Sequence, residues 1–156
     1  MEALRNSEWR TEGSRADDVV SESITGRILL VDDDPHFLRV LSRILTRESF
    51  QVTATTDAHQ AIELLASASF DLIICDLRMP DCDGINLLQV VRRAGNDIPI
   101  IILTAYGEVD TYLEAMNAGA TEYLNKPINS EDLLKVVRLC LLNHGRRRNT
   151  RRKNAA

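Results

Sequence analysis

Between residues 27 and 142, five short apolar runs alternate strictly with five segments of helical spacing. The runs read "RILLV" (27–31), "QVTAT" (51–55), "DLIICD" (71–76), "PIIILT" (99–104) and "TEYL" (121–124). Runs this short, with apolar residues pointing both ways, suit parallel strands buried on both faces. The segments between them supply the cover, through stripes such as Leu38, Leu41 and Leu45 with Phe37 and Ile44 beside them, or Leu133, Leu134, Val137 and Leu141. Helix starts are marked too. Asp34-Pro35 offers an N-cap followed by proline at the first helical position, and Asp57 with Gln60 resembles a capping box. Ser130 is the expected cap of the last helix, with Glu131 and Asp132 in its first turn. The pattern predicts an α/β fold, a doubly wound parallel sheet whose function collects at the C-terminal ends of the strands.

Those ends carry chemistry. The first strand runs into Asp32 and Asp33, the third into Asp76, the fourth into Thr104 and the fifth into Lys126-Pro127. Adjacent carboxylates repel, so a cluster at one sheet edge needs a compensating charge. Asp32, Asp33 and Asp76 can share a hard cation with oxygen ligands, and Mg2+ is the expected ion, which leaves room for a phosphoryl group. A carboxylate beside the ion can act as nucleophile and become an acyl phosphate. Thr104 and Lys126 can each hold a phosphoryl oxygen. Asp76, on the central strand, is the expected acceptor. Asp34 is better placed as a cap.

The set "ILLVDDDP", "DLIICDLRMPDCDG", "IIILTA" and "EYLNKP" resembles the receiver domain of bacterial two-component response regulators over roughly residues 26–142. The resemblance implies a flavodoxin-like (βα)5 fold with strand order 2-1-3-4-5. It implies Asp76 as phosphoacceptor, Asp32 and Asp33 as the acidic pair, and the backbone carbonyl of Arg78 as a further metal ligand. Thr104 becomes the switch hydroxyl, Lys126 the site lysine in a cis Lys-Pro bond, Tyr123 the switch aromatic and Gly84 the turn before the third helix. Arg78 and Tyr106 occupy positions that tune phosphoryl lifetime in the family; their bulk implies shielding. A sensor histidine kinase or phosphotransfer protein would be the donor, with a downstream protein effector and a phosphorylation-dependent homodimer as possible outputs. Such a chain is a signalling switch rather than an enzyme. Two rivals stand beside it: a receiver fragment of a DNA-binding transcriptional regulator, and an aspartate-nucleophile phosphatase of the haloacid dehalogenase type. The second usually wants an Asp where Arg78 stands.

Charge divides the chain. Residues 1–26 carry net −3, residues 27–142 net −7 and residues 143–156 net +6. Residues 1–25 lack sustained periodicity and are expected to be a disordered extension. The basic tail, 143–156, reads as a disordered, solubilising end or the start of a linker, with docking to an acidic partner or weak, salt-sensitive contact to nucleic acid as its functional alternatives. No run approaches the ~18 apolar residues of a membrane span, and the N-terminus lacks a secretory pattern. Cys75, Cys82 and Cys140 form no CxxC pair, so free thiols in a reducing cytoplasm are expected rather than a disulfide or zinc framework.

Overall fold

The structure, a computed structural model, describes residues 23–80, 83–105 and 107–156. Most of the N-terminal extension, Cys82 and Tyr106 therefore lie outside the described residues. Five strands, β1 (Arg27–Val31), β2 (Gln51–Thr55), β3 (Leu72–Cys75), β4 (Ile100–Thr104) and β5 (Glu122–Asn125), alternate with five helices. These are α1 (Pro35–Arg47), α2 (Ala58–Ser67), α3 (Gly84–Arg93), α4 (Val109–Asn117) and α5 (Ser130–Asn154). All strand pairs are parallel, in the order β2-β1-β3-β4-β5. This is the flavodoxin-like arrangement that the resemblance implies.

Strand periodicity sorts the core into two layers. Leu29, Val31, Ile73, Cys75, Ile100 and Ile102 face one side, against Ala61, Ile85, Leu88, Val91 and Ala115 of α2, α3 and α4. Ile28, Leu30, Leu72, Ile74, Ile101 and Leu103 face the other, against Leu38, Leu41, Leu45, Leu133, Val137 and Cys140 of α1 and α5. β3 and β4 are buried along their whole length, whereas the edge strands β2 and β5 are only partly covered. The unbroken aliphatic runs thus mark the central strands, where each fully buried side chain contributes about 1.5–3 kcal/mol. Cys75 and Cys140 are buried thiols outside any disulfide; burial and nearby Glu122 push the Cys140 thiol up to about 11.

The helix starts bring two corrections. Asp34 caps α1 as expected, accepting from the backbone N–H of His36 and Phe37. Asp57 caps α2 through the His59 N–H, but Gln60 does not close the box: its side chain bonds the Thr55 hydroxyl, which in turn accepts from the Asp57 N–H. The last helix is capped by Asn129 rather than Ser130. The Asn129 amide accepts from the Asp132 N–H (2.7 Å) and donates to its carboxylate (2.9 Å), a reciprocal pairing that a serine hydroxyl one residue later does not supply. The basic segment, expected to be a disordered end or the start of a linker, is helical: α5 continues through it to Asn154. No helix among the described residues is long and apolar enough to cross a membrane.

One arginine ties α3 to the far end of α4. Arg92 donates through Nε and Nη2 to the Gly119 carbonyl, and through Nη1 to the carbonyls of Asn96 and Ile98. Gly119 has a positive φ of 104°, and a Cβ there would lie 2.9 Å from the Arg92 side chain. Replacing Arg92→Met removes all four charge-assisted bonds. The expected cost is about 2–3 kcal/mol in urea unfolding, and Arg92→Lys should recover little of it because an ammonium cannot reproduce the planar fork.

Candidate phosphoacceptor site

The site is assembled by backbone bonds just past the strand ends. The Asp32 N–H donates to the Thr55 carbonyl (3.2 Å), the Asp76 N–H to Val31 (2.9 Å) and the Lys126 N–H to Thr104 (2.8 Å). Each site residue is therefore held by the final residue of a neighbouring strand, and the sheet register fixes their spacing. Gly84 lets α3 begin close beneath, donating its N–H to the Leu77 carbonyl at 2.8 Å.

The side chains converge as the strand-end reading requires. One carboxylate oxygen from each of Asp32, Asp33 and Asp76 lies within 4.8 Å of the other two. Asp32 and Asp76 are buried; Asp33 is exposed. Lys126 Nζ stands 2.6 Å from Asp32 Oδ2 and 3.8 Å from Asp76 Oδ2. The remaining Asp32 oxygen accepts from the Asp34 N–H, and Asp76 Oδ1 accepts from the Leu77 N–H. Burial is the main cause that raises the Asp76 pKa. Lys126 pulls it back, Asp32 adds to the rise, the Leu77 N–H lowers it and Asp33 raises it again. One ammonium against three carboxylates leaves the cluster electron-rich. Three oxygens in reach of one point are the donor set that a hard divalent ion takes, so the residues present fit Mg2+.

Thr104 is fully buried at the end of β4, next but one to Ile102, which pairs with Cys75. Arg78 is exposed two residues beyond Asp76. Tyr123 is half-buried; its hydroxyl is 2.9 Å from Thr111 Oγ1 and its ring packs edge-on against Tyr112 at 5.5 Å. The Lys126-Pro127 bond is cis. Sequence reasoning assigned no role to Thr111 and Tyr112, and placed Phe37 in the core stripe although its ring also lies under Lys126. The available signal for Phe37 was position: it falls in the first helical turn after a strand that ends in the acidic pair.

Three carboxylates and one ammonium thus meet at the C-terminal edge of an open parallel sheet. The chain belongs to the response regulator receiver domain family, which it matches over residues 28–138. It is 39% identical over 106 residues to the transcriptional regulatory protein ZraR of Klebsiella oxytoca, covering 68% of this chain and 24% of that protein. The chain thus spans about a quarter of that curated relative's length. Among solved structures, a CheY-like receiver domain protein from Methanospirillum hungatei JF-1 superposes with a TM-score of 0.76 at 29% identity, over 80% of this chain and 99% of that one. The beryllofluoride-activated NtrC4 receiver domain dimer superposes with a TM-score of 0.72 at 30% identity, over 76% of this chain and 98% of that one.

Proposed function

We propose that this receiver is a phosphorylation-dependent switch in which Asp76 takes a phosphoryl group from a sensor histidine kinase or phosphotransfer protein. A carboxylate oxygen of Asp76 attacks phosphorus, the bond from phosphorus to the donor nitrogen breaks, and the donor imidazole leaves with its electron pair and takes up a proton. The product is an acyl phosphate on Asp76. Asp32, Asp33 and Asp76, with the Arg78 carbonyl, would hold Mg2+, which when bound supplies charge neutralisation at the transferred group. Lys126 and Thr104 hold phosphoryl oxygens as charge develops on them. The observation that carries this reading is the meeting of three carboxylates and one ammonium at the strand ends of a receiver fold.

Thr104 then moves toward the new group, and Tyr123 leaves Thr111 and turns inward. The face of α4, β5 and α5 changes as one packing is populated over another. That face exposes Val109, Tyr112 and Leu113, which suits a partner protein or a second copy. The NtrC4 receiver's activated form, a dimer, supports the second copy. A transcriptional output is the alternative reading, favoured by the name and greater length of the ZraR relative.

Incubation with acetyl phosphate tests the core of the proposal. Intact mass should rise by one phosphoryl group per chain with Mg2+ and not at all with excess EDTA. No rise with Mg2+, or steady turnover of generic phosphomonoesters, overturns it. Arg78 shields the acyl phosphate in this reading, so Arg78→Ala should speed its hydrolysis severalfold, followed as loss of the mass adduct.

A further inference from the structure

Lys126 has a third neighbour besides the two carboxylates. Its Nζ lies 4.1 Å from the centroid of the Phe37 ring, a distance at which the ring's negative face attracts an ammonium. Phe37 is not free to drift. Its backbone N–H donates to Asp34 Oδ1 (3.2 Å), the cap of α1, and its ring packs against the Leu38, Leu41, Leu103 layer. The third aspartate of "VDDDP" therefore fixes the turn that aims an aromatic ring at the site lysine.

The three partners differ in one respect that matters. Asp32 and Asp76 both belong to the acidic trio, so any cation held there competes with Lys126 for their oxygens. A ring has no oxygen to lose. From this difference, and resting on the functional reading above, we propose that Phe37 is a positioning residue: its ring keeps the Lys126 ammonium at the acceptor while the carboxylates are claimed by other ligands. An aliphatic side chain of similar size would fill the same space without holding the charge.

Two readouts test it. The first needs no variant. In NMR spectra of the 13C-labelled chain, the Lys126 Hε protons should be shifted upfield by the ring, and remain so after Mg2+ and then beryllofluoride are added. An Hε shift of ordinary value, or one that returns to the ordinary value on adding Mg2+, overturns the proposal. The second compares Phe37→Leu with Phe37→Tyr in acetyl phosphate reactions. The expected initial rate falls about fivefold in Phe37→Leu and stays within about twofold in Phe37→Tyr, the effect of one ring–cation contact. Equal rates in Phe37→Leu and the parent chain, or equal losses in both variants, overturn the proposal, the latter by showing that packing alone matters. A parent chain that accepts no phosphoryl group would instead refute the functional reading, and the NMR arm would still decide the placement of Lys126.

Discussion

Asp76→Asn is expected to incorporate no phosphoryl group from acetyl phosphate or from a kinase, yet to fold more stably than the parent chain at neutral pH. The first half follows from chemistry: an amide oxygen is a far poorer nucleophile than a carboxylate, and the acyl phosphate cannot form. Label that survives on this variant would remove Asp76 from the mechanism. The second half follows from linkage. Burial, helped by the charges of Asp32 and Asp33, raises the Asp76 pKa above its ordinary value against the opposing pull of Lys126 and the Leu77 N–H. A carboxyl whose folded pKa exceeds its unfolded one favours folding fully below the unfolded value, and that contribution is lost as pH rises through the folded value. The amide isostere has no charge to bury. In EDTA, the melting temperature of Asp76→Asn should therefore exceed the parent's at pH 7, with the gap closing as pH falls toward the carboxylate range. Mg2+ should narrow the gap from the other side, by stabilising the parent more than the variant. A variant that melts below the parent at pH 7 in EDTA would contradict this account.

Gly84→Ala is expected to be the most damaging small substitution in the fold. A Cβ at residue 84 would sit 2.3 Å from the Asp76 carbonyl oxygen, 3.0 Å from Leu77 Cα and 3.2 Å from the Asp76 carbonyl carbon. All three atoms are backbone, so no rotamer change relieves the contact. Either α3 shifts away or the acceptor strand end does, at a cost of about 3 kcal/mol, which lowers the melting temperature by roughly 10–20 °C in a domain of this size. Because the displaced atoms belong to Asp76 itself, phosphorylation should slow even where the chain remains folded. Gly95→Ala is the control. That residue has a φ of 75° but open space around the added methyl, so only the left-handed backbone penalty of about 1 kcal/mol applies. Equal losses from the two substitutions would mean that α3 yields to the added methyl, so that its close approach to Asp76 is not what residue 84 secures.

The strands and the converging side chains were legible because the same burial writes both signals. "LIIC" and "IIIL" read as central strands since both their faces are covered, and the first polar residue after each run falls where the sheet ends. Capping was less legible. Ser130 and Asn129 are both good caps, and the choice between them depends on how the chain leaves Pro127, which neighbouring residues do not encode. Gln60 was similarly claimed by Thr55, a partner set by the β2 end. The helical state of residues 143–154 escaped because apolar periodicity stops at Leu142 and repulsion among the cations argues against helix. Arginine's high helix propensity was the overlooked counterweight. The Thr111 and Tyr112 contacts of Tyr123 link a helix to the edge strand beside it, so no local pattern announces them.

The length of α5 has a mechanical consequence. Its 25 residues span about 37 Å, and only the first half lies against the sheet. The overhanging half is linked back to the body by the Arg151–Asp97 ion pair, whose side chains are 73% and 50% exposed, a tether worth at most about 1 kcal/mol. A continuous helix transmits rotation with little bending, so a tilt of about 10° about its N-terminal end would sweep the far tip through roughly 6 Å. Small adjustments near Lys126 would thus arrive at the cationic end as a pointer swing, in which six positive charges move together as one rigid arm.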